Sequence, residues 1–205
     1  MTMTESSMQS KQVEELILQS LEHELGGIKV YEAAVSCALN SDLKSEWQKY
    51  LKETQTHVVA LTDVCSVLRI DASRDTPGRQ VVRHLGGALV EAMNLARSAG
   101  DAAAAQLVAC ECVVLAETKD HLDWQLLGKC AEYSEDPAAA AALSSAYESI
   151  EDQEDEHLYH TKGWCRELWL QALGVPAVLP PPEEKRQVKT AIGAAKAEQA
   201  AEKER

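Results

Sequence analysis

A chain of 205 residues with 33 acidic against 20 basic side chains carries a formal net charge of −13 at pH 7. That balance excludes a nucleic-acid or anionic-membrane partner, since both need a basic face. Its composition is Ala-rich with no Phe, its hydrophobes recur at helical spacing with few β-branched runs, and no apolar stretch approaches the length of a membrane span, so an all-α, non-membrane protein is expected.

The first helix is expected from about Ser10 to Leu39, with an apolar stripe of Val13, Ile17, Leu21, Ile28, Tyr31 and Val35 that is broken by Glu24. Gly26-Gly27 costs this helix roughly 2 kcal/mol of propensity, and glycines there admit a neighbouring helix or subunit closely. Asn40-Ser41-Asp42 makes a tight turn and an N-cap for a second helix, to about Ile70, antiparallel to the first. Its stripe runs Leu43, Trp47, Tyr50, Thr54, Leu61, Val64 and Leu68, broken by His57.

Residues 71–78, DASRDTPG, are loop chemistry, and Arg79 to Ser98 forms an amphipathic helix that ends at Gly100. Asp101 caps a further helix to about Tyr133, whose stripe contains Leu107, Cys110, Val114, Trp124 and Leu127 and is broken at Glu117 and Asp120 or His121. Ser134 to Pro137 closes that helix and opens the next, to about Leu173, with Leu143, Tyr147, Ile150, Thr161, Trp164 and Leu168 broken by Glu154 and His157. Beyond Gly174 the prolines stop the helix. Residues 1–174 are therefore read as one helical bundle, and residues 175–205 as a Pro-rich spacer with a flexible, charged Ala/Lys/Glu-rich tail.

Burying a carboxylate costs several kcal/mol unless a counter-charge lies beside it. Four breaks at one level of a bundle suggest that a metal is that counter-charge. Glu154 and His157, three apart, project to one side of a helix, so one metal can take both. Glu53 and His57 are four apart on adjoining faces, but the stripe position three before His57 is Thr54, so Glu53 must reach in from the flank. Glu117 comes with Asp120 or His121 one turn on, and Glu24 stands alone. His121 is either a ligand or a partner that steadies one, Tyr31 and Trp124 are either core packing or electron donors, and His23, His84 and His160 are expected at the surface. Six cysteines without a CxxC pair read as reduced core residues, and the N-terminus MTMTESSMQSKQVEE has no secretory pattern, so a cytoplasmic location is expected.

With one Glu from each of two helices and Glu/His pairs from the other two, the chain resembles the ferritin-like di-iron carboxylate proteins over residues 10–172. Rubrerythrins and bacterioferritins are the familiar members. Glu53-Thr54 with His57 is closer still to the bacterial stress-associated ferritin-like proteins. The resemblance implies a ferritin-like four-helix bundle with a long crossover between the second and third bundle helices, containing an additional helix. It also implies a ligand set of Glu24, Glu53, His57, Glu117, Glu154 and His157, with Asp120 as an extra, and two metal ions, iron or alternatively manganese. A di-iron oxidase or peroxidase-type activity on O2 or peroxide, or iron handling, would follow, with no catalytic residue assigned. The alternative is a metal-free bundle of the same fold serving as an oligomeric interaction or stress protein. Val81, Val82, Leu85, Leu89, Val90, Met93 and Leu95 on the crossover helix exceed what covering its own bundle needs, so a homodimer or higher homo-oligomer is expected.

Overall fold

The computed structural model describes the backbone of residues 3–178 and the side chains of residues 11–178. Among the described residues every regular element is a helix: α1 (Met3–Cys37), α2 (Ser41–Leu68), α3 (Pro77–Ser98), α4 (Ala102–Tyr133) and α5 (Pro137–Ala172). None of them is long and apolar enough to cross a membrane. The spacer and tail expected beyond residue 178 lie outside the described residues.

The helix ends follow local chemistry. α1 reaches back to Met3 but stops at Cys37 rather than Leu39, because the side-chain oxygen of Gln106 accepts from the Leu39 and Asn40 N–H groups at 2.7 and 2.8 Å and draws the chain out of the helix. Asn40 then caps α2 by accepting from the Asp42 and Leu43 N–H groups. α2 ends at Leu68 rather than Ile70 because Arg69 turns left-handed at φ 57° and satisfies the last carbonyls. Thr76 caps α3 with Pro77 in its first turn, two residues before the expected start at Arg79. Asp101 and Asp136 cap α4 and α5.

α1, α2, α5 and α4 form a four-helix ring, each packing on the next, and α3 lies outside across α1 and α4. Tyr31 reaches Glu117 while Glu24 meets Trp124, so α1 and α4 are antiparallel. Contacts of Glu46 with Trp164 and of His57 with Gln153 make α2 and α5 antiparallel as well. With α1–α2 and α4–α5 joined by short turns, α2 and α4 must run the same way, and α3 carries the chain back between them.

The apolar interior is split in two. One half gathers Tyr31, Leu43, Trp47, Tyr50, Met93 and Trp164, and the other Ile17, Leu61, Trp124, Leu127, Leu143 and Ile150. Between them the helices present a layer of buried polar side chains, at the level of Glu24, His57, Glu117 and Glu154.

Candidate metal centre

Each ring helix contributes to that layer at a place where its apolar repeat is interrupted. Glu24, His57, Glu117, Asp120, Glu154 and His157 are all buried, none more than 4 % exposed. Helical register explains the convergence: the flanking apolar residues fix which face turns inward, so the interrupting residue has nowhere else to go.

Two overlapping triads result, Glu24–His57–Glu154 and Glu117–Glu154–His157, each with ligand-capable atoms mutually within 4.8 Å. Glu154 belongs to both. The Nδ1 of His57 lies 3.0 Å from Glu154 Oε1 and 3.4 Å from Glu24 Oε1. The Nδ1 of His157 lies 3.6 Å from both Glu117 Oε2 and Glu154 Oε1.

The outer ring nitrogens determine the tautomers. Gln153 Oε1, an acceptor, lies 2.9 Å from His57 Nε2, and Glu53 Oε2 lies 3.0 Å from His157 Nε2, so each Nε2 carries a proton. In the neutral imidazoles both Nδ1 lone pairs then face carboxylate oxygens, an arrangement that calls for a cation between them. In its absence protons take the place. Burial draws His57 down, but hydrogen bonding to Glu154 and Glu24 outweighs it and lifts the group to about 11. Burial likewise opposes charging His157, yet Glu117 and Glu53 lift it to about 9.

Protons on two imidazoles do not balance Glu24, Glu117, Asp120 and Glu154. Burial, and then the charges of Glu154, Glu24 and Glu117, push Asp120 well above the ordinary carboxylate range, and burial also raises Glu154. Glu24 Oε2, Glu117 Oε2, Asp120 Oδ1 and Glu154 Oε2 are buried with no hydrogen-bond partner. Two divalent cations would balance four carboxylates and use the vacant lone pairs. The donor set of carboxylates and two imidazoles, without a thiolate, fits iron or manganese better than zinc.

The oxygens that do have partners are held from outside the triads. Tyr31 donates to Glu117 Oε1 at 2.8 Å and Trp124 Nε1 donates to Glu24 Oε1 at 2.7 Å, so both aromatic residues named from the sequence act on centre carboxylates. Glu53 stands outside the two triads. It is held by His157 and by Lys49 at 3.6 Å, and these partners outweigh burial to keep its carboxylate below the usual range. To become a ligand it must leave His157 Nε2. Thr54 donates to the Tyr50 carbonyl at 2.9 Å, and its methyl occupies the space beside Gly27, where an added Cβ would lie 3.3 Å away.

His121 is in neither triad; its Nε2 lies 2.6 Å from Asp155 Oδ1, half-buried beside a water-sized cavity of about 20 Å³ whose wall includes Glu154. His84 is exposed as expected, but His160 and His23 are not. His160 is buried with Nδ1 2.9 Å from the Tyr50 hydroxyl, because α2 lies across that flank of α5. Half-buried His23 has its Nε2 3.1 Å from the Ala116 carbonyl, because α3 and α4 cover that side of α1. Gln153 and His160 had no sequence signal, since neither interrupts a stripe at a place where only the core can receive it, and the stripe residue Tyr50 carried no sign of its partner His160.

No family model, curated protein or solved structure matches the chain.

Proposed function

We propose that this chain is a ferritin-like di-metal carboxylate protein, its two ions iron, or manganese as the alternative, acting on O2 or peroxide or in iron handling. The observation that carries the reading is the pair of triads sharing Glu154 among unpartnered buried carboxylate oxygens. The order of helix directions, with α3 as the crossover between two parallel helices, supports it.

Glu24, His57 and Glu154 would hold one ion and Glu117, Glu154 and His157 the other, with Asp120 and Glu53 alongside. Two such ions supply paired electrons for reducing O2 or peroxide. The chain's own residues prepare the place. Gln153 and Glu53 fix each imidazole with its Nδ1 inward. Tyr31 and Trp124 orient Glu117 and Glu24 and keep one oxygen of each carboxylate away from water. The apolar halves above and below exclude solvent, which strengthens every charge interaction at the centre.

Anaerobic Fe(II) titration of the metal-free protein tests the reading. Uptake of about two ions per chain is expected, with at least one lost in Glu154→Ala. Equal metal content in wild type and Glu154→Ala would overturn it. Absence of any uptake would favour the metal-free bundle, in which protonated His57 and His157 partly compensate the carboxylates. In Glu53→Ala, loss of one ion identifies a ligand; unchanged stoichiometry with affinity weakened about 10- to 100-fold identifies a support for His157.

A further inference from the structure

Away from the centre, α1, α3 and α4 line a second space, a partly open cavity of about 310 Å³ with Leu85 and Leu115 at its exposed rim. Its walls are apolar, chiefly Val30, Val82, Leu85, Leu89, Leu115 and Ala116. Water there would find few of the partners it needs, and a cavity of about 150 Å³ already takes up benzene. The volume falls within the range of small-molecule sites, which begins near about 300 Å³.

Glycines make the space. Gly26 and Gly27 on α1 and Gly86 on α3 line it, all in helix interiors where glycine weakens the helix. A Cβ at Gly26 would meet no atom within 4 Å, and one at Gly86 would meet only the Gly26 Cα at 3.8 Å. Neither glycine has the positive φ that would require it. Close packing therefore does not demand these residues, and side chains there would occupy the cavity.

Three polar residues, Glu22, His23 and Lys119, interrupt the lining. Glu22 is neutralised by Arg79 and Arg83. His23 donates Nε2–H to the Ala116 carbonyl, and burial together with nearby Lys119 lowers its affinity for a proton, so the ring is neutral. Lys119 is one-third exposed and spends one ammonium proton on Asp123 at 2.5 Å. Two ammonium protons remain beside an apolar cavity.

We propose that this cavity binds a fatty acid, with the acyl chain between α1, α3 and α4 and the carboxylate at the Lys119 ammonium. The inference is independent of any metal at the bundle centre. Octanoate, decanoate and dodecanoate titrated calorimetrically into the full-length protein are expected to bind saturably at one site per chain. Lys119→Gln should weaken decanoate at least about tenfold while leaving decanol unchanged. Decylamine should bind more weakly than either. Gly26→Leu and the milder Gly86→Leu should each abolish binding, whereas Gly87→Leu, on an exposed glycine outside the lining, should retain it and control for the gain in helix propensity. Circular dichroism and thermal melting establish that each variant is folded. Failure of all three acids to saturate would overturn the proposal. So would unchanged binding in both folded cavity variants, or equal loss of decanoate and decanol in Lys119→Gln. A dimer in light scattering that dissociates in Gly26→Leu would assign the space to a second copy of the chain and overturn it too.

Discussion

Glu22 and Glu24 are two residues apart on α1, both buried, yet their surroundings are opposite. Glu22 faces α3 and receives Arg79 through Nε and Nη2 at 3.0 and 2.8 Å and Arg83 through Nε and Nη2 at 2.7 and 2.9 Å. Glu24 faces the bundle interior with one tryptophan N–H at 2.7 Å and its second oxygen unpartnered. Burial raises both costs alike in kind. At Glu22 the hydrogen bonds from Arg83 and Arg79 outweigh burial and hold the carboxylate below its usual range. This fold thus has the means to satisfy a buried carboxylate completely. That it satisfies one and leaves a cluster of others incomplete points to a partner from outside the chain.

The most damaging way to break the comparison is on the satisfied side. Arg79 is 5 % exposed and also donates to the Ala72 and Arg74 carbonyls, so it ties the α2–α3 loop as well as Glu22. Arg79→Ala should cost about 3–5 kcal/mol in urea unfolding of the metal-free protein, because the buried carboxylate loses its one buried partner, leaving only half-exposed Arg83, and the loop carbonyls lose their donor. A loss near zero would show that Glu22 can relax into water. Next in size is metal itself: Mn(II) at about a hundred times its dissociation constant should add about 2.7 kcal/mol for each site filled. Glu22→Gln should keep this gain and Glu24→Gln should lose much of it; equal gains would remove the distinction between the two glutamates.

A smaller effect sharpens the contrast by its sign. Glu154→Leu should stabilise the metal-free protein by about 1–3 kcal/mol, since it removes one of four buried carboxylates that two imidazoles do not balance and leaves Glu24 and Glu117 beside the rings. Glu22→Leu should destabilise it, because two guanidinium groups lose their acceptor. Chemical denaturation of both variants without metal decides, and destabilisation by Glu154→Leu would mean that the imidazoles already compensate the centre.

The comparison also has a pH dependence of opposite sign on its two sides. Glu22, with its folded value depressed, contributes stability that is present above its ordinary value near 4.5 and lost as pH falls through the folded value. His57 and His157, raised to about 11 and about 9, contribute stability present in full below their ordinary value of 6.5, lost as pH rises through 9 and then 11. Glu22→Gln should therefore flatten the acid limb of the metal-free stability profile and His57→Gln the alkaline limb. Metal bound as proposed would displace the same protons, so apparent affinity should rise with pH across that alkaline window. A pH-independent affinity between pH 6.5 and 9 would show that the imidazoles are not ligands.

What made the centre legible in advance is that a polar residue interrupting a 3/4-spaced apolar stripe is forced inward by its neighbours. Glu24, His57, Glu117, Asp120, Glu154 and His157 all follow from that rule, and all are buried. Glu53 does not lie on the stripe, and the structure places it on the outer nitrogen of His157. Glu22 and His160 were illegible for the complementary reason. They lie off the stripe, on faces that are buried only because α3 covers α1 and because α2 lies across the flank of α5.

By itself, the sequence determined the all-helical fold and the turns, because capping side chains, prolines and apolar periodicity act within a few residues of one another. It also determined that the polar residues interrupting an apolar stripe turn inward. Only the tertiary structure decided that Glu154 is shared between two triads, that Gln153 and Glu53 orient the imidazoles, and that Gly26 and Gly86 face a cavity. Those outcomes depend on how helices distant in sequence are staggered and rotated against each other, and that is set by the packing of whole faces rather than by any local signal.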